Sequence, residues 1–127
     1  MPPSQPALSE TPIRIIVGET TFDAVLWDNP AARSLLDQIP LTLEFTDYGG
    51  REVIAEPPQP IAMDDMPEGD SPVTGDLGYY APSGVVSLHY SDIGYWDGSA
   101  RLGRIDGDLS PLMDRSEPFT VTIEQAG

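Results

Sequence analysis

Short runs of alternating residues, each stopped by a glycine, proline or Asx turn signal, constrain this chain more than anything else. Residues 41–47, LTLEFTD, are the clearest case, with Leu41, Leu43 and Phe45 set between Thr42, Glu44 and Thr46. Successive side chains of a strand point to opposite faces, so those three apolar residues share the inward face. PIRIIVGETTFDAVLW places two apolar runs around a Gly-Glu-Thr turn, a hairpin signature that puts Phe22, Ala24 and Leu26 on one side. LGYY and VVSLHY flank APSG in a second hairpin, REVIAE and RLGRI supply further strands, and FTVTIEQ aligns Phe119, Val121 and Ile123. The pattern predicts about seven or eight short strands, spaced so as to build a barrel or sandwich.

One segment breaks the period. Ala32, Leu35, Leu36 and Ile39 recur at helical spacing, with Asn29 as N-cap and Pro30 at the first helical position. This predicts a helix over 30–38, stopped by Pro40. DLSPLMD predicts a second, one- or two-turn helix over 110–114. One lies early in the chain and the other late, which suits plugs for the two ends of a closed barrel. Residues 1–11 are rich in Pro, Ser, Gln and Ala and are expected to form a disordered leader to a single domain over 12–127. Residues 57–76 form a long, proline-rich and acidic loop; such loops tend to be functional or mobile.

Composition narrows the chemistry. There is no cysteine, so disulfides, thiol catalysis and cysteine-held metals are excluded. The lone histidine, His89, precludes a His-rich metal centre within one chain. The acidic DDMPEGDSPVTGD stretch lacks the spacing of a calcium loop. No Gly-x-Ser-x-Gly elbow and no glycine-rich phosphate loop occur, and neither metal nor cofactor is expected. Net charge is −15, with 21 acidic residues against six arginines. Such a surface repels nucleic acid and anionic membranes; it serves solubility, or alternatively steers a cationic ligand. The chain has no signal-like start and no apolar stretch long enough for a membrane helix, which makes the cytoplasm the expected location. Nothing in the pattern sets an oligomeric state.

The order of several weak motifs then resembles the cyclophilins. Asp28-Asn29-Pro30 is similar to that family's entry into its first helix, and Gly84 followed by an apolar strand to its Asn-Gly-Ser-Gln-Phe-Phe segment. Trp96-Asp97-Gly98, Leu102-Gly103-Arg104-Ile105, Gly107-Asp108-Leu109 and Val121-Thr122-Ile123 follow in the family's order at similar spacing. The resemblance spans about 110 residues, and the chain is shorter than a typical cyclophilin around its active face. It looks more like the small bacterial cyclophilin-like proteins, whose function is generally unassigned. The resemblance implies an all-β fold: a closed eight-stranded antiparallel barrel with two short helices over its ends.

A cyclophilin isomerises X-Pro bonds without nucleophile or metal, by an arginine on the twisted amide and an apolar seat for the proline ring. Arg51 follows the matching strand, but its flanks differ and the Gln-Gly-Gly-Asp motif is absent; the alternative is an exposed hairpin residue. Tyr95 occupies the pocket tryptophan's position with Trp96 one residue on, and Ala100 replaces the family's histidine. Alternation puts Val86, Leu88 and Tyr90 inward and Ser87 and His89 outward. In that register Ser87 stands at the groove glutamine and His89 at the groove phenylalanine, unless His89 is an ordinary solvent-facing strand residue. Ser87, His89, Tyr95 and Trp96 are therefore expected to share one outer groove beside the 57–76 loop. A non-catalytic binding module for a peptide or small molecule is the first functional expectation, and a weak peptidyl-prolyl isomerase the alternative.

Overall fold

The computed structural model describes residues 10–126. Of the expected leader, residues 1–9 lie outside that range, and Thr11 already belongs to the first strand. Ten strands form: β1 (Thr11–Val17), β2 (Thr20–Leu26), β3 (Leu41–Tyr48), β4 (Glu52–Ala55), β5 (Gly69–Asp70), β6 (Asp76–Tyr80), β7 (Val85–His89), β8 (Trp96–Asp97), β9 (Ser99–Ile105) and β10 (Phe119–Gln125). Eight of them close a barrel in the order β1-β10-β3-β4-β7-β6-β9-β2, every pair antiparallel. The two-residue strands β5 and β8 pair separately, outside the barrel.

Alternation fills the interior. Ile13, Ile15 and Val17 of β1 face Phe22, Ala24 and Leu26 of β2, and Val121 and Ile123 of β10 complete that wall. Val53, Leu77, Val86, Leu88 and Leu102 close the other side around Phe45. Leu43 and Phe119 are only partly buried, against their expected place in the core. Phe119 opens β10 at the rim, its ring 6.5 Å from that of Phe45, and the Arg115 guanidinium covers it from outside at 4.3 Å.

The helix, α1, runs Pro30–Leu36, two residues shorter than its apolar stripe predicts. The Asn29 side chain accepts from the Ala32 N–H at 2.8 Å and Pro30 occupies the first turn, as the capping pattern requires. Beyond Leu36 the chain tightens: Gln38 N–H donates to Leu35 and Ile39 N–H to Leu36, three residues back. Ala31, Ala32 and Leu35 are buried where β2 ends and β3 begins. The 110–114 helix reduces to a single 3-10 turn, Ser110–Leu112, between β9 and β10 and so at the opposite end of the strands. The Asp108 carboxylate accepts from both the Ser110 N–H and its hydroxyl, which holds this turn, and Leu112 is fully buried beneath it. Among the described residues no helix is long and apolar enough to cross a membrane.

Asn29 has a second task, since its Nδ2 donates to the Arg101 carbonyl at 3.1 Å and ties the helix to β9. Asn29→Ala is expected to lower stability by about 1 kcal/mol. Asn29→Ser, which keeps a capping oxygen but loses that tie, should fall between the two in urea unfolding.

Candidate functional site

On the outer face of the barrel β4, β7 and β6 lie side by side, and their register sets the site. Glu52 pairs with His89, Ile54 with Ser87, and Ser87 with Gly78. Val53, Val86 and Leu88 point inward, so Glu52, Ile54, Ser87 and His89 project outward together. Gly78 gives the imidazole its room: a Cβ there would come 3.2 Å from His89 Nε2 and 2.9 Å from the Ala100 carbonyl.

Loop segments cover this face. The β5–β8 pairing joins the 57–76 loop to the 90–98 segment, reinforced by Gly98 N–H to the Glu68 carbonyl (2.8 Å) and by Thr74, whose N–H and hydroxyl both donate to Asp92. The Trp96 indole N–H donates to the Ile93 carbonyl at 3.2 Å, which fixes the ring. Beneath lies a cavity of about 320 Å³. Tyr48, Ile54, Tyr79, Tyr80, Val85, Ile93 and Trp96 give it largely apolar walls, with Arg51, Glu52, Ser83, Ser87, His89 and Ser99 as its polar lining residues.

Of the residues singled out in the sequence, Ser87, His89, Trp96 and Arg51 line this one cavity, and Tyr95 does not. The Tyr95 side chain turns the other way, its hydroxyl beside Gly69 and Asp97, and it is exposed. A step of one residue along β8 changes face, so only one of two adjacent aromatics can enter the cavity. Arg51 is exposed, and among the described residues its guanidinium makes no hydrogen bond or ion pair. His89 is not the solvent-facing strand histidine that alternation allows. It projects outward yet is 2% exposed, because the loops close over it.

The electrostatics follow from that cover. Burial lowers the His89 pKa to about 4, against a smaller upward pull from Asp76, so the ring is neutral at pH 7. Its Nδ1 is buried without a hydrogen-bond partner and stands 3.9 Å from Glu52 Oε1. Burial also raises the Glu52 pKa; the Ser87 hydroxyl offsets part of this, and the Asp47 charge adds to it. Tyr90, whose hydroxyl donates to Asp47, has its pKa pushed up to about 12, chiefly by desolvation.

The family model described as Cyclophilin-like family matches residues 15–124. The chain belongs to the cyclophilin-like family. A hypothetical protein of Archaeoglobus fulgidus, known from a solution structure, shares this fold with a TM-score of 0.68 and 18% identity. The match covers 92% of the present chain and 95% of the archaeal one. No curated protein matches the chain. Within the cyclophilin-like frame, two residues that sequence reasoning passed over shape the site. Glu52 reads as one more strand carboxylate until its pairing with His89 is known, and Gly78 as an ordinary strand glycine.

RLGRI suggests a strand whose arginines face water, and Arg104, more than half exposed, does so. Arg101 instead binds Asp76 through Nε at 2.6 Å and Nη2 at 3.4 Å, with its guanidinium 5.4 Å from the Trp27 ring centroid. Asp76 itself is 1% exposed and also accepts from the Val73 N–H. This pair anchors the start of β6 next to the candidate site.

Proposed function

We propose that this cyclophilin-like barrel is a non-catalytic binding module whose outer cavity takes a small molecule. The observation that carries the reading is the cavity itself: about 320 Å³, mostly apolar, with Glu52, Ser87 and His89 among its polar lining residues. Ligand pockets span roughly 300–1,000 Å³ and have this composition. The volume suits one compact ligand better than several residues of peptide. Catalysis is poorly provided for. A histidine that titrates near pH 4 is a weak proton acceptor at neutral pH. Ala100 stands where the isomerases have their histidine.

The isomerase alternative retains one supporting observation, the presence of Arg51 among the cavity's lining residues. Two measurements separate the readings. In NMR titration with a fragment library, ligands are expected to shift His89 and Trp96 signals together; ligands clustering on the opposite wall, β1-β10-β3, would overturn the cavity reading. Uncatalysed X-Pro isomerisation takes tens to hundreds of seconds, so even weak catalysis is measurable in a protease-coupled assay. No acceleration is expected, and no effect of Arg51→Ala. A rate enhancement abolished by Arg51→Ala would make the protein an isomerase.

A further inference from the structure

Nothing so far says what class of molecule the cavity selects, and the pairing of Glu52 with His89 bears on that. We infer that the cavity takes a small organic cation, its ammonium group held between Glu52 Oε1 and His89 Nδ1 and its hydrocarbon body against Ile54, Tyr80, Val85 and Trp96. This rests on the small-molecule reading above and narrows it.

Three observations carry it. First, Oε1 and Nδ1 are 3.9 Å apart, too far to bond each other, and a turn of the Glu52 side chain that opens Nδ1 to the cavity would let one donor atom reach both. A neutral imidazole can present a bare Nδ1 lone pair, and a carboxylate only accepts, so an –NH₃⁺ group satisfies both from a single atom. Second, Nδ1 is a buried polar atom with no partner among the described residues, and the imidazole lines the cavity at 2% exposure. Buried polar atoms in native proteins are nearly always satisfied, so an orphan here points to a group from outside.

Third, the charge is uncompensated. The Glu52 carboxylate is 13% exposed, and its one neighbour within ion-pair range is the neutral histidine. Burial raises the Glu52 pKa, and Asp47 adds negative potential nearby. A hydroxyl could bridge the two atoms but would leave the charge standing; an ammonium neutralises it. Tyr48, Tyr80 and Trp96 line the same cavity, and aromatic rings favour organic cations. The net charge of −15 draws such ligands in and repels anions.

The test uses three probes of nearly equal size at pH 7.5: benzylamine, benzyl alcohol and benzoate, titrated into the full chain by NMR. Benzylammonium is expected to bind saturably, shifting the His89 ring and Trp96 indole signals, at least tenfold more tightly than benzyl alcohol. Benzoate should not bind. Glu52→Gln, checked for an unchanged melting temperature, should bring benzylamine to the level of benzyl alcohol. Benzyl alcohol or benzoate binding at His89 and Trp96 as tightly as benzylamine would overturn the cation assignment and leave the small-molecule reading standing. If none of the three moved those signals, both would fall.

Discussion

Arg101→Leu is expected to lower the unfolding free energy by about 3–5 kcal/mol, the cost of leaving a buried charge without its partner. Asp76 is 1% exposed, and after the substitution only the Val73 N–H would remain to bond its carboxylate. The reverse change, Asp76→Asn, should cost less, because the Arg101 side chain is about one-third exposed and its freed charge can turn to water. The double variant should recover much of the loss, since an amide at position 76 carries no charge to strand. Urea unfolding of the three variants at pH 7 measures this directly. Additivity in the double would show that the two side chains act independently.

Stability is also expected to fall by about 3 kcal/mol as pH drops from 6.5 to 4, at 1.36 kcal/mol per unit of pKa difference for His89. The sign follows from proton binding. The folded-state pKa of His89 is about 4, below the ordinary 6.5, so between those values the unfolded chain binds a proton that the native chain refuses. Full stability from this source is present above pH 6.5 and is lost on the way down to 4. Glu52 works in the opposite direction, since its folded pKa is raised and its protonation in acid relieves an unfavourable buried charge. His89→Gln removes the first contribution and keeps the second, so its stability profile over this range should be flatter than the wild type. A wild-type profile as flat as that of the variant would contradict the neutral buried histidine.

The barrel itself was readable where its strands alternate, as β1, β2 and β10 do. LTLEFTD and TTFDAVL commit their apolar faces within seven residues, and Asn29-Pro30 announces the helix through local capping chemistry. What escaped notice depends on partners distant along the chain. Gly69–Asp70 and Trp96–Asp97 are two residues each, too short to show any period, and exist because they pair with each other. The burial of His89 is set by loops that fold over it, whereas alternation reports only which side of the sheet a residue faces. Arg101 looks solvated until Asp76, 25 residues away, is placed beside it. The candidate site was therefore half legible: its strand residues follow from register, and its roof and its carboxylate from tertiary structure.

Strand β10 is bonded on both flanks, by β1 and by β3, and both of these come from the first 48 residues. Until Phe119–Gln125 slot between them, each presents an unpaired row of amide and carbonyl groups, the usual template for pairing with another chain. Closure of the ring thus waits for contacts between remote parts of the sequence, the kind that form late and slowly. The hazard for this barrel is greatest while it is still open, and a lesion confined to 119–125 should provoke aggregation out of proportion to the contacts it removes.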